Sequence, residues 1–231
     1  AGVGVSGAVM TVFSTAKAIL AGDVTNAKTL TVESKMNYGD VLVVNTGLAA
    51  GIAGVNVSLA ATYFQGEAEA SIFGNANITS TNLTKLDVIT TGKTNSTVAV
   101  GGLAAGAVGV NAGVGLAVNH TKVRSYIDKN VVIDSAKAAL MVKHDFEANA
   151  DAFMISIAGG AVAVGTSVVV VVNKLDAESY IGHSSDSDIT TVSGSITVKN
   201  IDVSAKAKGD TSVIGAGIAT GAIAVNGSVA L

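Results

Sequence analysis

From Val108 to Val118 every second residue is the larger and more apolar one. Val108, Val110, Ala112, Val114, Leu116 and Val118 alternate with Gly109, Asn111, Gly113, Gly115, Ala117 and Asn119. A period of two sends successive side chains to opposite faces of a strand, so this segment is predicted as β-strand with one bulky face and one nearly bare. The pattern recurs where Val162, Val164, Thr166 and Val168 alternate with Ala163, Gly165 and Ser167, and where Val3, Val5 and Val9 oppose Gly2, Gly4 and Ala8. Just upstream, Leu103, Ala105 and Ala107 hold the larger residue on the other parity. That phase flip between Ala107 and Val108 predicts a bulge, bend or short turn. Shorter alternations at Lys122–Ile127 and Ser195–Lys199, with turn-forming residues at Gly74-Asn75, Asp128-Lys129-Asn130, Ser184 to Ser187 and Gly209-Asp210, suggest about four strands per repeat.

The alternation belongs to a longer rhythm. Gly2-Val3-Gly4-Val5-Ser6 is echoed by Gly54-Val55-Asn56-Val57-Ser58, an offset of 52. Gly47-Leu48-Ala49-Ala50-Gly51 returns unchanged at Gly102 to Gly106, an offset of 55. Ser125-Tyr126-Ile127 returns as Ser179-Tyr180-Ile181 after 54, and Val225-Asn226-Gly227-Ser228-Val229 resumes the pattern after 61. Charge keeps the same time, because residues 41–66, 94–121, 152–173 and 211–231 contain no Asp, Glu, Lys or Arg. The units run approximately 1–46, 47–101, 102–156, 157–216 and 217–231, partial at both ends, so the chain reads as one continuous array cut from a longer one.

Such an array is expected to be all-β. The reading is a repetitive β-solenoid, taken as a right-handed parallel β-helix with two coils of roughly 27 residues per unit, and stacked antiparallel β-hairpins are the alternative. Composition fits an interior of small and β-branched side chains: 27 glycines, 4% aromatics, 13% charged residues, and no Pro, Cys or Trp. The bare face, with Gly54, Asn56, Gly109, Asn111, Gly113, Gly115, Gly165 and Ser167, is the candidate packing or self-association face. A surface without large side chains can approach a neighbour more closely than the usual sheet spacing of about 10 Å. Two readings stay open here, internal sheet-on-sheet packing and contact with another copy.

Uncharged runs longer than a membrane helix requires raise a membrane-spanning alternative, and Gly102 and Gly106 even supply a helix-packing spacing. The period of two, the Val and Gly content and the absence of Trp argue against it. A net charge of −3 without a basic run argues against nucleic acid as a partner. His120, His144 and His183 lie at no metal-ligand spacing, and no acid–base pair or nucleophile constellation is visible, so no cofactor, catalytic residue or enzyme activity is expected. Asp186 and Asp188 are weak calcium candidates without the glycine-rich motif of calcium-binding β-rolls.

Runs such as Gly109 to Asn119, followed by Ser125-Tyr126-Ile127 and a Thr/Val-rich closing strand, resemble the repeats of leukotoxin-type filamentous adhesins, large exported bacterial β-strand repeat proteins. The resemblance implies display at the bacterial cell surface or secretion, a solenoid shaft, and self-association into filaments. It carries over no catalytic residue. Three functions follow as expectations: a structural shaft, an adhesive module that binds a host glycan or protein, and a membrane-inserting toxin segment.

Overall fold

The computed structural model describes residues 1–182 and 193–231. The described residues form long strands in two sheets. Sheet A contains, in spatial order, β1 (Gly2–Leu20), β3 (Ala53–Ile72), β6 (Val108–Asp128), β8 (Val162–Gly182) and β10 (Ile223–Ala230). Sheet B contains β2 (Thr29–Ala50), β5 (Lys85–Ala105), β7 (Val132–Gly159) and β9 (Ser195–Thr220), with the two-residue β4 (Asn77–Ile78) beside the start of β7. Every pairing between these strands is parallel. The chain therefore crosses from one sheet to the other at both ends of each circuit. This is a parallel β-solenoid, and the antiparallel-hairpin alternative is excluded.

The repeat offsets are the strand registers. Gly2 pairs with Gly54, Gly54 with Gly109, Gly109 with Ala163, and Ala163 with Ala224, steps of 52, 55, 54 and 61 residues. Identical or similar side chains consequently stack in columns along the axis, one per coil.

One repeat makes one coil of two long strands, not two coils of four short ones. The alternation at Lys122–Ile127 is the second half of β6, which runs unbroken for 21 residues. Polarity changes at Asn119 to Lys122 while the period of two holds, and a change of polarity alone does not end a strand. The Gly209-Asp210 break is also absent. Both residues lie inside β9, where Gly209 pairs with Ala148 and Asp210 with Asn149, and the Asp210 N–H donates to Asn149 Oδ1 at 3.2 Å. The turns at Gly74-Asn75 and Lys129-Asn130 are as expected, and Ser184 to Ser187 lie outside the described residues. The phase flip at Ala107 is a two-residue turn, Gly106-Ala107, between β5 and β6.

Four such tight turns, at 51–52, 106–107, 160–161 and 221–222, stack along one margin. Glycine opens each. A β-carbon on Gly106, Gly160 or Gly221 would run into the carbonyl oxygen of the turn glycine one coil earlier. The turns also extend the backbone ladder. The Gly51 and Gly106 N–H groups donate to Ala105 O and Gly159 O, each at 3.2 Å. The Val108 and Val162 N–H groups donate to Ile52 O and Ala107 O at 3.1 Å.

The cross-section tapers toward that margin. Near the turns the sheets are so close that a β-carbon on Gly54 or Gly109 would sit 2.5 Å from Ala105 O or Gly159 O on the facing strand. Further along the strands the gap fits Val43, Val98, Val100 and Met154, then Met36 and Phe146. At the wide end Ile72, Leu86, Ile127, Ile133 and Leu140 form the largest buried cluster. The largest cluster of inward side chains thus lies farthest from the turn.

Gly109→Ala is expected to cost about 1–3 kcal/mol, since it forces a methyl group against backbone that cannot yield. Gly7→Ala, where nothing lies within 4 Å of the added carbon, is expected to be neutral or mildly stabilising. Equilibrium denaturation of the two variants checks the contrast.

Candidate functional surface

The bare face points inward. Gly54, Asn56, Gly109, Asn111, Gly113, Gly115, Gly165 and Ser167 are all buried between the sheets. Of the two readings of that face, internal packing is the one observed, and these residues are not available to another copy. The polar members need internal partners, and they find them both along their own sheet and across the gap. Asn56 Nδ2 donates to Asn111 Oδ1 at 2.7 Å, and Asn111 Nδ2 donates to Gly102 O at 2.7 Å and to Ser156 Oγ at 2.8 Å. The two sheets exchange volume here. Gly47, Gly102 and Gly217 are each followed nine residues later by Asn56, Asn111 and Asn226, whereas Ser156 is followed by Gly165. Each coil thus sets a side chain against an empty position.

Further from the turns, Thr62 and Ser96 share a 2.7 Å hydrogen bond and Asn119 Nδ2 donates to Asn149 O at 3.0 Å. His144 is fully buried, with Nδ1 2.9 Å from Ser179 Oγ and, among the described residues, no partner for Nε2. Burial holds its pKa below the ordinary histidine value, against smaller opposing effects of the Glu178 backbone and Asp145. Its place in the alternation, level with Val142 and Phe146 and flanked by Lys143 and Asp145, is the sequence signal that marks this histidine as interior.

The outward faces divide into two halves. In the charge-free half, Val5 is 78% exposed, Phe13 69% and Leu59 42% on sheet A, while Leu48 is 67% and Ile155 54% on sheet B. Ile52 at the rim is 82% exposed. The taper explains this placement, because the thin margin has no interior space for these side chains. In the other half, charge alternates in sign from coil to coil. Lys17, Glu69, Arg124 and Glu178 form one column, and Lys93, Glu147 and Lys208 another. Lys17 lies 2.9 Å from Glu67 and 3.5 Å from Glu69, Lys93 3.0 Å from Glu147, and Arg124 3.6 Å from Glu178. Exposed pairs add little stability each. Like charges directly opposite would be unfavourable, however, so the alternation disfavours slipped registers. Aligning the sequence at the repeat offset reveals this device.

Aromatic side chains stack from coil to coil at one place and divide between the faces at another. Tyr126 and Tyr180 stack in register with ring centres 4.9 Å apart, and the Tyr126 hydroxyl donates to Glu69 Oε1 at 2.8 Å. Burial, with that carboxylate beside it, pushes the Tyr126 pKa up to about 12. Tyr63 faces outward near Phe13, whereas Phe64 is buried inside against Tyr38, so neighbouring positions serve opposite faces.

Where the apolar and charged halves of sheet A meet, a shallow trough of about 410 Å³ is lined by Phe13, Gln65, Glu67, His120, Lys174 and Asp176 among others. His120 Nε2 and Lys174 Nζ approach Asp176 Oδ2 at 3.4 and 3.2 Å. Among the described residues no three His, Asp or Glu side chains gather as a metal site, and no helix is long and apolar enough to cross a membrane. His183, Asp186 and Asp188 lie outside the described residues.

Comparison of the chain with protein-family models, with curated proteins and with solved structures returned no match.

Because His144 takes up a proton less readily folded than unfolded, stability is expected to be full above about pH 6.5 and to fall as pH drops below it. His144→Gln is expected to flatten that acid limb. Urea midpoints of both proteins between neutral and mildly acidic pH check the effect.

Proposed function

We propose that this chain is a shaft segment of a bacterial extracellular fibre, a rod that extends or polymerises and carries no catalytic chemistry. The single observation behind the reading is the all-parallel register, in which each coil is laid on the last at the sequence repeat, with register shifts only in sheet B, between Asn37 and Asp40 and between Ser135 and Ala139. Each coil's stability depends on its neighbours, so such a stack becomes more stable as coils are added. Among the described residues neither sheet closes on itself, so the outer strands can accept further coils. The resemblance of residues 109–127 to filamentous adhesin repeats supports placement at the cell surface.

The sheet A trough favours a second reading, direct adhesion. An exposed aromatic ring beside carboxylate, amide and ammonium groups is a chemistry that suits a sugar, with the ring under an apolar sugar face and the polar groups on its hydroxyls.

Electron microscopy of the native material tests the shaft directly. Unbranched threads a few nanometres wide are expected, and discrete globular particles would contradict the reading. Binding on a glycan array that Phe13→Ala abolishes would instead favour adhesion.

A further inference from the structure

We infer that the outward apolar face of sheet A is a lateral interface, and that its occupant is the same face of a second copy of this chain. The inference deepens the shaft reading and rests on it, since a rod built of such coils carries this strip along its whole length. The strip is made of columns in register. Val3, Val55, Val110, Val164 and Val225 form one column, and Leu59, Val114, Val168 and Val229 another. The face holds no Asp, Glu, Lys or Arg from Gly54 to Gln65 or from Val108 to Thr121, so nothing charged has to be stripped of water on contact.

Its size suits a partner of the same kind. About ten residues at about 3.3 Å, across five strands at about 4.8 Å, give roughly 800 Å², the area one partner contributes to a stable interface. Two valine-rich sheet faces pack against each other at the usual sheet spacing. A two-fold axis along the stack, between the two faces, lays strip on strip and carries the charged halves to opposite sides.

Lipid is the competing cover, and the border of the strip argues against it. Membrane borders are marked by Trp, Tyr and an excess of basic residues. Here Trp is absent, the net charge is −3, and the column of the outward Tyr63 continues as Val118 and Val172 and not as an aromatic belt. The column next to the strip's edge runs Thr15, Glu67, Lys122, Asp176, of mixed sign.

Sedimentation velocity of this chain across the micromolar range tests the interface. A dimer or larger assembly is expected, and Leu59→Lys with Val114→Lys is expected to raise its dissociation constant by about tenfold or more. Glu178→Gln, further along the charged half, should leave assembly unchanged. Leu59→Thr with Val114→Thr, which keeps strand propensity, is the companion if circular dichroism shows the lysine variant unfolded, and should weaken assembly in the same direction. A monomer at every concentration would overturn the inference. So would assembly indifferent to both double variants, or a monomer that floats with phosphatidylcholine vesicles. Single unbundled threads in the microscope would remove the lateral interface yet leave the shaft standing. A variant-sensitive dimer from material that forms no threads would remove the shaft alone.

Discussion

The backbone ladder between coils is the interaction on which everything else in this molecule depends. Parallel strands stacked in register fix which residue lies above which, and so turn a sequence repeat into columns of like side chains. Columns of valine pack well. Columns of like charge would repel, and the coil-by-coil reversal at Lys17, Glu69, Arg124 and Glu178 avoids that. Columns of glycine permit contacts no other residue allows, as at the turns where each glycine rests on the carbonyl of the one before.

The second constraint is the taper. Two sheets joined by two-residue turns must converge at that end, and the convergence decides the fate of every side chain nearby. Inward positions there can be only Gly, Ala, Ser or Asn, and the polar ones must bond across the gap, as Asn111 does to Gly102 and Ser156. Valines and leucines are left outside on both faces. Away from that margin there is room for Phe64 and Phe146 and then for Ile127 and Leu140 inside, and the charge lies outside. The uncharged and charged halves of each repeat are thus two ends of one tapered blade, and the exposed apolar strip follows from the geometry of the turn.

Much of this was legible in the sequence, and the reasons for the rest are specific. Gly54 and Gly109 announced their register because glycine is required at both. The flip at Ala107 announced its turn because a two-residue link inverts parity. The number of coils per repeat was hidden, because Lys122 to Ile127 continues the strand begun at Val108 and only its polarity changes. Which face lies inside was also hidden. Alternation separates Val114 from Gly113 and Gly115 without saying which side the other sheet takes, and ordinary hydrophobic burial would have put the valine in. Only the closeness of the facing backbone decides for glycine, and that closeness is a property of the pair of sheets.

The register itself can be measured. The chain has no cysteine, so Val57→Cys with Ala112→Cys takes two nitroxide labels at positions that are paired across β3 and β6. Neighbouring strands lie about 4.8 Å apart, and electron paramagnetic resonance of the doubly labelled protein should show a spectrum dominated by spin exchange and dipolar broadening. Labels at Val57→Cys with Thr84→Cys, 27 residues apart, should give two independent signals. Strong coupling in the second pair and none in the first would contradict the one-coil repeat and the stacked columns built on it.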